Sequence, residues 1–477
     1  MDRRSLLIGA AAAAASPAWA ADPVALGADL PLLRRICETL HPGLYRYQTP
    51  QGWAQACDDL VAALRRPADV AQQYLALSRL AGRVKCGHTY ANFFNQSKAI
   101  RRRVIEPANK LPFHFVWLGD RMVVTGNPRG VDGITRGMEI LTIDGVAVSR
   151  IRRAMLPLMR ADGNNDAKRY ALMNVQGVDR IETFDVYYPL LFPSDRPAFQ
   201  LGIAGRGQVS VDKIDLVTRQ KTMSTGYDET RPDYWSLTWP KPDIAVLTMP
   251  GWALYDVTWD WRARLDGMFE DMATKGARGL IVDIRENEGG IDCGHEIIAR
   301  LIDTPLPLDS DYERRVRFRT TPADLNPYLD TWDRSFERLG EGADDLGDGF
   351  FRLKADEEGV AVISPKGPRF KGKVVVMSSA QNSSATFQFI SLVKQHGLAR
   401  VYGQPTGGNQ RGINGGAFFF VRLPNSGLEI DLPLIGTFPK TPRPDAGLEP
   451  DVFVEPSVQD IASGRDAVLE RAITDLA

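Results

Sequence analysis

Val374-Val375-Val376-Met377-Ser378-Ser379-Ala380-Gln381-Asn382-Ser383-Ser384-Ala385-Thr386-Phe387 is the stretch that decides the fold. Its first half is a short apolar, β-branched run, the pattern of a strand buried on both faces. Its second half is a run of small polar residues, and residues 385–395 then read as a helix. A strand that feeds a helix through such a loop holds a hydroxyl at the helix N-terminus. There the helix dipole and the free N–H groups favour developing negative charge. On these residues alone Ser384 is either a reactive serine with the Ala385 N–H beside it, or an ordinary N-cap.

The same rhythm extends upstream. Residues 244–249 read as a strand, and 261–274 as a helix with Leu265, Met268, Phe269 and Met272 on one face. Leu280-Ile281-Val282-Asp283-Ile284 is a buried strand, followed by a helix at 297–301. Strands alternating with helices predict an α/β domain over 206–477, built on a largely parallel sheet. A polar, turn-rich stretch near 304–370 interrupts it and is expected to be an insertion over the core, acting as a lid. The strand at 280–284 runs into Arg285-Glu286-Asn287-Glu288-Gly289-Gly290. Paired glycines let a backbone approach a ligand closely and present N–H groups, although a plain strand-to-helix turn has the same appearance.

Toward the N-terminus the character changes twice. Leu30, Leu33, Ile36 and Leu40, and later Leu60, Leu64, Tyr74, Leu77 and Leu80, recur at helical spacing, so 21–104 is expected to be helical. Residues 105–205 read as a β-rich module. Phe113, Phe115 and Trp117 alternate, and Gly137-Met138-Glu139-Ile140-Leu141-Thr142-Ile143-Asp144-Gly145 is a strand closed by an Asp-Gly turn. Residues 1–20 combine Arg3-Arg4, an apolar run and Ala18-Trp19-Ala20, the pattern of a cleaved secretory leader of the twin-arginine type. Export would place the chain in the periplasm or outside the cell, where Cys37, Cys57, Cys86 and Cys293 are permitted to pair. Three full pairings are open, and so are four free thiols. A formal net charge of −1 gives no global field toward nucleic acid, and no later stretch is apolar enough for stable membrane insertion.

Of five histidines, His88 stands out. It follows Gly87 and precedes an expected strand at 89–93, a position suited to a general base; His41, in His41-Pro42-Gly43, is the second choice. His114 and His396 fit structural roles. No ligand cluster points to a metal, and no cofactor is expected.

Taken together these motifs resemble the tail-specific, carboxy-terminal processing serine peptidases, and most of all the branch of the tricorn core and the interphotoreceptor retinoid-binding repeats. The resemblance rests on the His-Pro of the helical start, the Gly87-His88-Thr89 stretch, the strand ending in Gly289-Gly290 and the Ser384-Ala385 helix start. It also rests on Gly403-Gln404-Pro405-Thr406-Gly407-Gly408 and Gly447-Leu448-Glu449-Pro450-Asp451. It implies a PDZ-like module at 105–205 and a ClpP- or crotonase-like catalytic domain. It implies Ser384 as nucleophile, 19 residues before Gly403, and oxyanion donors at Ala385 and at Gly289 or Gly290. The processing branch carries a lysine 25 residues after the serine, where this chain has Asn409. The resemblance therefore implies His88 as base, with Glu449 or Asp445 as the acid that orients it. Cys86 replaces the usual aspartate before Gly87, and Phe387 the usual glutamate after the serine. The implied substrate is a peptide or an unfolded protein tail. Two other functions fit the same residues: a non-catalytic ligand-binding protein, and an esterase or amidase. Oligomeric state is not readable.

Overall fold

The computed structural model describes residues 25–64, 68–308, 311–354 and 362–477. The leader read over residues 1–20 lies outside them. The helical start is four helices, Ala25–Leu40, Pro50–Ala63, Val70–Arg83 and Lys98–Val104. Asp69 closes a capping box with Gln72 at the head of the third, which satisfies two otherwise orphaned N–H groups. The expected strand at 89–93 does not form. Asn92 and Asn95 donate their side-chain amides to Asp431, and Asn92 Oδ1 accepts the Phe94 N–H (2.9 Å). Side-chain bonds of this kind compete with a ladder.

The β-rich unit is a six-stranded antiparallel sheet from His114–Leu118 to Gly207–Asp212. Asp144 and Gly145 both have positive φ (51° and 78°), which the two-residue turn between Glu139–Ile143 and Val146–Ala147 demands. The sheet runs past the expected boundary at 205, because Gly207–Asp212 pairs with Ala198–Ile203 along its whole length.

The central sheet has the order Val452–Phe453, Arg400–Gly403, Lys373–Ser378, Gly279–Asp283, Ile244–Thr248, Ser236–Lys241. All its pairings are parallel except the last. The helices Trp261–Thr274, Cys293–Ala299 and Ser384–Gln395 follow its strands, so the chain is a mixed α/β protein of several units.

The stretch near 304–370 is more than a lid. Tyr312–Val316, Leu329–Asp330, Asp344–Asp345 and Phe351–Arg352 join the hairpin Asn414–Arg422 and Glu429–Pro439 in a second six-stranded sheet. Val316, Leu325 and Leu329 are buried in the same apolar core as the N-terminal helices and the β-rich unit, whereas the parallel sheet packs around a separate core. The molecule therefore has two principal cores facing each other. All four cysteines are free and buried; Cys86 lies in the first core and Cys293 in the second. Among the described residues no helix is long and apolar enough to cross a membrane.

Candidate active site

A cavity of about 1480 Å³ opens where the two cores meet, and Ser384, His88, Gly289 and Gly290 all line it. Sites between structural units are a common place for a substrate cleft.

Ser384 is the first residue of the helix Ser384–Gln395 and has a φ of +52°. A non-glycine residue pays to adopt this conformation, so its neighbours must hold it there. Asn382, fully buried, does most of this. Its Nδ2 donates to the carbonyls of Ile284 (2.5 Å) and Asn287 (3.0 Å), and its Oδ1 accepts the Ser379 N–H (2.8 Å). Its carbonyl accepts the N–H groups of Gly407 (2.7 Å) and Gly408 (3.1 Å). Ser383 Oγ donates to the Glu288 carbonyl (3.2 Å) and does not cap the helix. The turn thus commits the Ser383 hydroxyl to the backbone and presents Ser384, partly exposed, to the cavity.

The glycine loop is pressed against this turn. A Cβ on Gly289, whose φ is +107°, would lie 2.8 Å from the Ser383 carbonyl oxygen and 2.9 Å from both Ala385 N and Ser384 Cβ. Only a glycine permits that approach. The Gly289 N–H is already used, donating to Asn287 Oδ1 (2.9 Å). Gly290 forms a parallel bridge with Trp252 through the Gly289 carbonyl and the Ile291 N–H, so its own N–H takes no part in that bridge. The Ala385 N–H, in the first turn of its helix, has no acceptor among the described residues. Of the two glycines, Gly290 therefore has the N–H free of backbone pairing.

His88 comes from the other core, on a turn after Val70–Arg83, with its ring against Phe418 (5.7 Å between centroids). The Gly87 N–H donates to Asp162 Oδ1 (2.9 Å), and Arg160 Nη1 donates to the Gly87 carbonyl (3.1 Å). Burial pushes the Asp162 carboxyl up to about 6, against the pull of the Gly87 N–H and of Arg46, Lys168 and Arg160. His41 is buried and occupied on both nitrogens. The Gly43 N–H donates to Nδ1 (3.0 Å), which leaves the proton on Nε2 to donate to Thr89 Oγ1 (2.8 Å). His41 supports the turn that carries His88 and does not reach the cavity lining. Cys86 Sγ accepts from Asn414 Nδ2 (3.3 Å), so its thiol is a packing group behind the turn, and burial pushes it up to about 11.

Glu449 is exposed, lies outside the cavity lining and forms no hydrogen bond or ion pair among the described residues. The geometry does not bring it to His88. Asp445 is better embedded: it accepts from Asn409 Nδ2 (2.8 Å) and from the Asn164 N–H (3.0 Å), and Asn409 also donates to the Asp162 carbonyl (3.0 Å). Asn409 thus fills the lysine position of the processing branch as a fully buried structural amide. Phe387 is buried, its ring lying where a side chain on Gly408 would have to go.

Three residues that the sequence did not single out tie these pieces together. Arg160 Nη2 donates to Glu288 Oε2 (2.7 Å), and Lys168 Nζ donates to Glu288 Oε1, to the Gln381 carbonyl (2.9 Å) and to Gln381 Oε1 (3.1 Å). Burial acts to raise the Glu288 carboxyl, but Arg160 and Lys168 hold it well below the usual carboxylate range. With three acceptors around it, the Lys168 ammonium has every proton engaged and is an anchor, not a base.

Among the described residues no group of side chains is arranged to hold a metal. The family model described as Peptidase family S41 matches residues 243–452, the segment that contains Gly289, Gly290 and Ser384. The chain carries a peptidase family S41 domain. It is a peptidase. No curated protein matches the sequence. Among solved structures, a serine-to-alanine mutant of CPAF is 16% identical with a TM-score of 0.66, covering 94% of this chain and 96% of that one. Mature CPAF complexed with lactacystin is 17% identical, with a TM-score of 0.64 over 95% and 98% of the two chains. At such identities the likeness is one of fold, and it extends over nearly the whole chain, the helical start and β-rich unit included.

Proposed function

We propose that this peptidase works by acyl transfer to Ser384 with His88 as general base. The observation that carries the reading is the meeting, on one cavity, of a serine on a left-handed turn and a histidine from the opposite core. His88 takes the hydroxyl proton as Oγ attacks the scissile carbonyl, and returns it to the leaving amine when the C–N bond breaks. Water then enters, His88 deprotonates it, and the ester to Ser384 is hydrolysed. The N–H groups of Ala385 and Gly290 are the donors suited to the oxyanion. Asp162 positions the His88 turn through Gly87, and Asp445 braces it through Asn409; Glu449 has no part in this reading.

The substrate is an unfolded peptide or protein tail. A cavity of about 1480 Å³ supports this, as does the resemblance of the unit at 105–205 to a PDZ module, which takes peptides by strand addition. The leader at 1–20 supports export by the twin-arginine route to the periplasm or beyond. The test is hydrolysis of an internally quenched peptide library by the wild type, Ser384→Ala and His88→Ala. Each substitution is expected to lower kcat by roughly 10⁴-fold or more. Undiminished cleavage by Ser384→Ala would overturn the assignment.

A further inference from the structure

We propose that the cleft selects peptides carrying a bulky apolar or aromatic side chain beside the scissile bond, and that Trp332 is the residue that sets this preference. The inference rests on the peptidase reading above and adds its substrate class. Three observations carry it.

The first is a β-bulge beside the site. In the hairpin of Asn414–Arg422 with Glu429–Pro439, Gly415 faces Ile435 but Phe418 faces Pro433, so one strand advances three residues while the other advances two. Gly416 takes a φ of +78° at the extra residue. Bulges re-aim side chains, often next to active sites. Beyond this one, Phe418 and Phe420 share a face toward Trp332, while Phe419 turns into the core against Phe318 (6.4 Å).

The second is a continuous aromatic surface. His88 touches Phe418, and Phe418 touches Trp332 with ring centroids 5.9 Å apart. Trp332 also packs on Phe420 (5.9 Å) and stands edge-on to Phe336 (5.1 Å). This wall runs from the base to the rim of the cleft. A side chain next to the scissile bond on the His88 side would lie along it.

The third is exposure. Trp332 lines the cavity yet leaves 39% of its surface in water. The segment that carries it, between Leu329–Asp330 and the turn at Arg334–Arg338, is held by its own sheet pairing and by Arg334 Nη1 donating to the Leu329 carbonyl (3.0 Å). A rigidly held indole on a cleft wall presents a large apolar face at little entropic cost to binding. Its natural complement is another apolar side chain.

The experiment uses internally quenched peptides that differ at single positions on either side of the cleavage point, with Phe, Leu, Ser or Asp at each. Wild type is expected to prefer Phe or Leu over Ser or Asp at one such position by at least about tenfold in kcat/KM. Trp332→Ala should abolish most of that preference, lowering kcat/KM for the Phe and Leu peptides far more than for the Ser peptide; Trp332→Phe should restore part of it. Melting temperatures identify any variant that fails to fold, and Phe420→Ala then provides an independent lesion of the same wall. Equal cleavage of all peptides by wild type, or a preference that survives Trp332→Ala and Phe420→Ala, would overturn the inference. Absence of any cleavage by wild type would instead overturn the peptidase reading on which it rests.

Discussion

At the scale of single residues, Ser384 and Gly289 form one steric unit. A serine at a φ of +52° persists only if its surroundings over-determine it, and here the Asn382 amide and the Gly289 backbone enclose it. Gly289→Ala is expected to push the glycine loop off the Ser384 turn. The strained φ and the close contacts should cost about 1–3 kcal/mol of stability, read by denaturant unfolding. Losing the oxyanion geometry should lower kcat by about 10²-fold or more, with little change in KM. The small-residue loop before a helix made the position of Ser384 at a helix start readable in the sequence, and the structure places it there, on the cavity. Glu449 was assigned from a local motif, but its side chain is exposed. The Asp445–Asn409–Asp162 chain and the Arg160–Glu288–Lys168 cluster were not legible. Asp445 and Asn409 drew notice singly, but the bonded partners lie 36 to 247 residues apart in sequence, and no short window shows that they meet.

At the scale of elements, the buried ionic cluster acts as a clamp. Glu288 immediately precedes Gly289, and Gln381 lies at the start of the Ser384 turn; Lys168 holds both, while Arg160 holds Glu288 and the Gly87 carbonyl. The helix Asp166–Ala171, which carries Lys168, thereby sets the spacing between the glycine loop and the serine helix. Lys168→Met is expected to loosen that spacing. A misplacement of about an ångström lowers turnover by roughly 10²-fold, so kcat should fall while KM is kept. Glu288→Gln is expected to cost more stability than Lys168→Met, because it leaves both the Arg160 and Lys168 cations without the carboxylate they share. If Lys168→Met leaves kcat untouched, the clamp has no part in the chemistry.

At the scale of the whole molecule, the parallel sheet was legible and the second antiparallel sheet was not. Three of the parallel strands, Ile244–Thr248, Gly279–Asp283 and Lys373–Ser378, are built on short apolar runs and are followed by helices, a pattern that periodicity detects. The second sheet draws on two-residue strands such as Leu329–Asp330 and Asp344–Asp345, and on pairings such as Tyr312 with Pro439. No short window holds that information, so the segment read as a lid is part of the wall on the His88 side. The same core predicts a pH dependence. Burial, reinforced by Arg46, lowers the His41 imidazole from 6.5 to about 3. Below pH 6.5 the unfolded chain takes up a proton that the folded one refuses until about pH 3, so stability falls as pH drops through that window. Between pH 7 and 5 the wild type should lose about 2 kcal/mol more than His41→Asn, measured by denaturant midpoints. Equal losses would mean that His41 does not stay neutral in the fold. The proposed chemistry depends on the two cores meeting at Ser384. Treatment with a fluorophosphonate probe, followed by tandem mass spectrometry of the digested protein, tests it most directly. One adduct is expected, on Ser384, lost in Ser384→Ala and strongly slowed in His88→Ala. An adduct on Ser383 or elsewhere, or no adduct on the folded wild type, would contradict it.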